Sequence, residues 1–197
     1  MLIIETVGYH GTAEENVSDI LENQFITKHR DDHWLGQGIY FYEDSKLAEW
    51  WIKKKLETYS GEGPAVIKAT MRCEKGEFLD LDKNEDLDLF FHRLKKVLMG
   101  GQIKLGLRFK TGDEQSRIRN LCFCIDILKN CSGLKLIALT FLKSNPSYVR
   151  GNILSFENDY FPLPFAISYK ERQICATSND IITSKECVYP QRRTNWH

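Results

Sequence analysis

The chain has 197 residues, of which 42% are hydrophobic and 27% charged, with 11 Phe, 8 Tyr and 4 Trp to fill an interior. Such a composition argues against a disordered chain, and the length falls in the range of roughly 100 to 200 residues typical of one domain, so a single domain over 1–197 is expected. The 27 basic and 27 acidic side chains cancel, which excludes a global basic field drawing the protein to RNA or DNA and leaves only local patches open.

In chain order, Glu5 to Tyr9 reads as a short strand, and Thr12-Ala-Glu-Glu15 as a capping box ahead of Val17, Ile20 and Leu21, which share a helical face. A polar stretch from Thr27 to His33 precedes Trp34-Leu35-Gly36-Gln37-Gly38 and the β-prone Ile39-Tyr40-Phe41-Tyr42, where the two glycines allow a tight bend. Asp44 or Ser45 caps a helix with Leu47, Ala48, Trp51, Ile52 and Leu56 on one face, Trp50 being set off from it, and Gly61-Glu62-Gly63-Pro64 ends it. Ala65 to Arg72 and Glu77 to Leu81 are the next expected strands.

The chain then turns helical. Asn84 or Asp86 can cap a helix carrying Leu87, Phe90, Phe91, Leu94, Val97 and Leu98, stopped by Gly100-Gly101, and Asp113 can open a second with Ile118, Leu121, Cys122, Ile125 and Leu128. These two helices read as structural padding between two halves of a sheet. Leu134 to Leu142 is a near-continuous apolar run suited to a central strand, Ser144 to Pro164 is a long irregular connection, and Phe165 to Ala176 returns to strand composition.

No run approaches the ~18 apolar residues of a membrane span, and the start of the chain lacks the pattern of a secretory leader, so a cytoplasmic location is expected. Six cysteines (Cys73, Cys122, Cys124, Cys131, Cys175, Cys187) form no C-x-x-C pair. Reduced, buried thiols are the economical reading, and no metal is expected.

Three segments bear on chemistry: Tyr9-His10-Gly11-Thr12, Gly36-Gln37-Gly38-Ile39-Tyr40-Phe41, and Glu171-Arg172-Gln173-Ile174-Cys175. Each alone has a plainer reading, as a turn histidine, a glycine-flanked core strand and an exposed strand charge. In this order, however, they resemble the ADP-ribosyltransferase superfamily in its poly(ADP-ribose) polymerase-like branch. That branch is marked by a His in an HG dipeptide, a Tyr in a G-x-G-[IL]-Y-F strand and a late Glu on a strand. The likeness is detailed over 8–58 and looser over 165–183.

The resemblance implies an α+β fold, with an ADP-ribosyltransferase-like split β-sheet core, flanking helices and a helical insertion at about 82–132. It also implies NAD⁺ as co-substrate. His10 would bond a ribose hydroxyl and the backbone of Gly11 the nicotinamide carboxamide, with Thr12 shared between cap and site. Tyr40 would stack on the nicotinamide ring, and Trp50 would form the opposite wall. The residue types suit these tasks, since glycine bares its backbone and imidazole can donate or accept. Glu171 would stabilise the oxocarbenium-like transition state as the glycosidic bond breaks, with Gln173 as an amide neighbour on the same side of the strand. Should Gln173 hold the catalytic position instead, the transferase would be weak or would use Glu171 from a displaced pose. Where the family often has a Ser, this chain has Leu47, the nearest Ser being Ser45.

A transferase of this kind is similar to compact bacterial toxins of toxin–antitoxin or phage-defence systems that attach one ADP-ribose to a protein, RNA or DNA acceptor, and it would then have an antitoxin partner. Two alternatives stay open: an inactive NAD- or ADP-ribose-binding module, and an RNA 2′-phosphotransferase recruiting His29, Arg30 and His33. Phe156, Tyr160, Phe161, Phe165 and Tyr169, in the loop before the late Glu, could stack on a nucleobase or pack against protein.

Overall fold

Strand β1 (Ile3–Ala13) pairs along its whole length with β3 (Pro64–Glu74), from Ile3 opposite Glu74 to Ala13 opposite Pro64. The computed structural model describes residues 2–27, 29, 33–57, 63–99, 114–143 and 169–190. Because the ladder holds Thr12 opposite Ala65, the strand does not end at Tyr9 and the expected Thr12 capping box does not form. A 3₁₀ turn over Glu14–Asn16 starts after Ala13 without a side-chain cap. Its first amide is satisfied by a backbone group instead, the Glu14 N–H donating to the Gly63 carbonyl at 2.9 Å. Helix α1 (Val17–Glu22) follows directly.

The remaining elements are β2 (Ile39–Tyr42), α2 (Ser45–Leu56), β4 (Phe78–Asp80), α3 (Asn84–Met99), α4 (Glu114–Ser132), β5 (Leu136–Lys143), β6 (Tyr169–Ala176) and β7 (Ile182–Tyr189). The first residues of the strand expected from Phe165 lie outside the described residues, as do the connection from Ser144 and the glycines at 100 and 101. Asp44 is the N-cap of α2, its carboxylate accepting from the Lys46 N–H at 2.8 Å. Asp86, by contrast, accepts from the Asp80 N–H at 2.9 Å and ties the end of β4 to the first turn of α3. The architecture among the described residues is α+β: seven strands in the order β4-β5-β6-β2-β1-β3-β7, with only β4 and β5 parallel, and four α-helices.

Side-chain alternation sends apolar groups to both faces of this sheet. Ile39, Phe41, Ile67, Met71, Leu136, Ala138, Ile174 and Ala176 gather on one side with Ile20 of α1. On the other, Ile137 and Cys175 pack with Leu79, Phe90 of α3, and Ile125 and Leu128 of α4. Helix α2 buries Leu47, Ala48 and Ile52, chiefly against β1 and β3.

The two halves of the sheet meet weakly. Only one residue pair, Tyr9 opposite Tyr42, registers between β1 and β2, whereas β2 continues into a four-residue ladder with β6. Beyond Tyr9, the stretch His10–Ala13 has its registered partners on the β3 side.

Candidate functional site

Where β1 and β2 part, a cleft of about 590 Å³ opens. Its walls draw on both faces of the sheet, with His10, Phe25, Ile39 and Phe41 from one and Tyr40, Glu171 and Gln173 from the other.

His10 reaches across the gap, its Nδ1 lying 2.8 Å from the carbonyl oxygen of Tyr40. A carbonyl only accepts, so Nδ1 carries the proton and the neutral ring keeps its lone pair on Nε2. Burial lowers the imidazole pKa, and the nearby Lys55 charge adds to that effect while the Tyr40 carbonyl opposes it. The ring meets Phe25 and Phe41 edge-on, at centroid distances of 5.1 and 5.9 Å. Phe25 is itself clamped from 154 residues away: its N–H donates to Asn179 Oδ1 at 2.9 Å and its carbonyl accepts from Asn179 Nδ2 at 3.0 Å.

Gly11 and Thr12 line the same wall. A methyl group at Gly11 would sit 2.6 Å from the Ala48 carbonyl oxygen and 3.0 Å from Ile52 Cβ, so the absence of a side chain is what lets α2 lie against β1 here.

Tyr40 is fixed at its far end. Its hydroxyl donates to the Gly36 carbonyl and accepts from the Leu35 N–H, both at 2.7 Å. Burial drives its pKa far above the ordinary phenol range, and the hydroxyl stays protonated. The Gly-Gln-Gly bend that makes this possible needs both glycines. Gly36 has φ +72° and Gly38 φ +156°, and a methyl at Gly38 would fall 2.4 Å from the Ala176 carbonyl oxygen. The His33 ring lies 4.9 Å from that of Tyr40, and Trp34 meets Phe141 edge-on at 4.3 Å.

On β6, Glu171 and Gln173 face one way, as alternation requires. Glu171 is only 1% exposed, and Gln173 Nε2 donates to its Oε1 at 2.6 Å. A carboxylate this buried is kept only with polar partners, and the amide is one of them. Between the two, Arg172 points to the opposite face, pairing with Asp80 at 3.0 Å, with Asp82 and, through Nε, with Glu43 at 3.4 Å. These pairs tie β6 to β4 and to the end of β2.

The cleft thus brings together His10, Gly11, Thr12, Tyr40, Glu171 and Gln173. It does not take in Trp50. The tryptophan on its wall is the next residue, Trp51, with Ile52, Lys55 and Leu56 of the same helix. Trp50 instead carries the Lys54 ammonium over its ring at 5.2 Å, and Lys55 lies over Trp51 at 4.6 Å. The helical stripe places Trp51 with Ile52 and Leu56, and in sequence it reads as core. The stripe instead runs past the core onto the cleft wall, and that reassigns the residue. Leu47 is buried in the core and brings no hydroxyl to the site.

Arg30 and the aromatics at 156, 160, 161 and 165 lie outside the described residues, while Tyr169 begins β6. His33 is on the cleft wall. Cys73, Cys122 and Cys175 are buried and Cys124 half-buried, but Cys131 and Cys187 are exposed, so the expectation of buried thiols does not extend to those two. Among the described residues, no group of three His, Cys, Asp or Glu side chains is placed to hold a metal ion, and no helix is long and apolar enough to cross a membrane.

Comparison with known proteins adds little to this geometry. Over 100 residues the chain is 36% identical to an uncharacterised protein of Methanocaldococcus jannaschii, a match covering 49% of this chain and 46% of that one. It therefore spans about half the length of the curated relative. No family model matches the chain, and no solved structure does.

Proposed function

We propose that this chain is an NAD⁺-dependent mono-ADP-ribosyltransferase. The observation that carries the reading is the convergence of three segments, separated by as much as 161 residues of sequence from His10 to Glu171, on one cleft between β1 and β2. The resemblance of those segments to the polymerase-like branch supplies the chemistry, and the ADP-ribosyltransferase-like character of the α+β fold is part of the same proposal.

On this reading the nicotinamide ring lies against Tyr40, and the open edge of β1 at Gly11 meets its carboxamide. His10, neutral and with Nε2 as acceptor, takes a hydrogen bond from a ribose hydroxyl. Lys55 offers an ammonium to the ligand's diphosphate, and Trp51 takes the wall role expected of Trp50. The bond that breaks joins the ribose anomeric carbon to the nicotinamide nitrogen, which leaves with the electron pair. Glu171 stabilises the positive charge this creates on the ribose, held in orientation by Gln173. The acceptor's lone pair then forms the new bond to the anomeric carbon, and the acceptor loses a proton.

Incubation of the purified chain with NAD⁺ labelled in its adenylate portion and a cell extract, followed by separate protease, RNase and DNase treatments, tests this reading. Covalent label removed by one treatment establishes transfer and names the acceptor class. Binding of NAD⁺ with no label transferred and no nicotinamide released would replace the enzyme with a binding module, a reading to which the buried Leu47 lends its one observation.

A further inference from the structure

Two charged side chains on α4, Asp126 and Lys129, reach the loop that leads into β2. The Lys129 side chain is only 8% exposed. Its ammonium donates to the carbonyls of Leu35, at 2.8 Å, and Gln37, and lies 3.4 Å from Cys175 Sγ and 3.8 Å from the Asp126 carboxylate. Asp126 Oδ1 accepts the Gln37 N–H at 2.7 Å. That same oxygen is the atom a methyl at Gly36 would meet, at 2.3 Å, so α4 packs directly on the backbone of the bend.

The bend is not part of a strand ladder, so its carbonyls need donors from elsewhere. One buried ammonium serves two of them, and charge-assisted bonds are the strong class. The residues so held, Leu35 and Gln37, flank Gly36, and the Leu35 N–H and Gly36 carbonyl grip the Tyr40 hydroxyl. A continuous set of hydrogen bonds therefore runs from α4 through the bend to the ring on the cleft wall.

We infer that Lys129 and Asp126 are positioning residues that set the Tyr40 ring in the cleft, which makes α4 a working part of the site and not padding between sheet halves. The positional claim stands on the hydrogen bonds; its consequence for ligand rests on the proposed NAD⁺ reading.

Hydrogen–deuterium exchange on the full chain tests it, comparing wild type with Lys129→Met and Lys129→Arg. In Lys129→Met the amides of Leu35 and Gln37 should exchange roughly tenfold faster or more, as befits the loss of charge-assisted bonds to two carbonyls. Lys129→Arg should restore part of the protection, and the β1–β3 ladder should exchange as in wild type. Unchanged bend exchange in a folded Lys129→Met protein would overturn the inference. Asp126→Ala, which removes the acceptor of the Gln37 N–H, provides the same test at the Gln37 amide if the methionine variant fails to fold. Titration of the same proteins with nicotinamide and with ADP-ribose then reads the ligand side: Lys129→Met should weaken nicotinamide about tenfold, the loss of one ring-binding wall, and leave ADP-ribose unchanged. Equal weakening of both would overturn the assignment to Tyr40. A wild-type protein that binds neither ligand would sink the NAD⁺ reading alone, and the exchange result would still decide the positional claim.

Discussion

His10 and Tyr40 are joined by a side-chain bond at the place where the backbone ladder between their strands gives out: Nδ1 of one lies 2.8 Å from the carbonyl oxygen of the other, two positions past the single registered pair of Tyr9 and Tyr42 on the β2 side. The imidazole closes a gap that backbone pairing would otherwise fill. In doing so it fixes its own tautomer and holds the two halves of the sheet at the spacing that makes the cleft.

A pH dependence follows from that placement. Burial holds the His10 pKa below the usual imidazole value, so between the folded and unfolded values the unfolded chain binds more protons. The contribution of His10 to stability is full above about pH 6.5 and declines as the pH falls below that toward the folded-state value. Urea midpoints should therefore drop on going from about pH 7.5 to about pH 5.5, and drop less in His10→Gln. Protonation at Nε2 also removes the acceptor, so nicotinamide release should show an acid limb below the ordinary imidazole range. The same acid-dependent drop in both proteins would contradict the placement.

Glycine substitutions separate the tight positions from an open one. Gly11→Ala and Gly38→Ala each push a methyl into a backbone carbonyl, and Gly38 adds its φ of +156°. Each should cost about 2 kcal/mol or more. Nothing lies within 4 Å of a methyl built on Gly76, where alanine should be neutral or stabilise by up to about 1 kcal/mol. Thermal unfolding of the three variants reads the contrast, and a Gly11→Ala protein as stable as Gly76→Ala would show that α2 does not press on β1 as described.

The neighbouring tryptophans give a test of the cleft wall. Trp51→Ala should weaken NAD⁺ by about tenfold or more, consistent with removing one stacked or cation-backed aromatic face, whereas Trp50→Ala should leave affinity near wild type. Isothermal titration measures both. The reverse order would return the wall to Trp50.

Much of the framework was legible because its signals are local. The apolar run from Leu134, the stripe of α2 and the alternation of Glu171 with Gln173 each depend on residues close in sequence. What escaped was decided at a distance. The Thr12 capping box loses to the ladder with β3, which keeps the chain extended through Ala13. Strand β7, half of whose positions are exposed, carries little hydrophobic pattern and exists by pairing with β3. Lys129 and Asp126 flank the apolar stripe of α4, and only the folded chain brings them to Gln37, more than eighty residues earlier. Trp51 shares its stripe with core residues, and the sequence does not mark where the core stops and the cleft begins.

Transferase chemistry in this cleft is tested by nicotinamide release from NAD⁺ by the wild-type chain and by Glu171→Gln, alongside NAD⁺ affinity for both. The role given to Glu171 requires release by wild type, a loss of at least about a hundredfold in the variant, the scale of removing an electrostatic stabiliser of the transition state, and near-equal affinity in the two. Release by Glu171→Gln at the wild-type rate would contradict it.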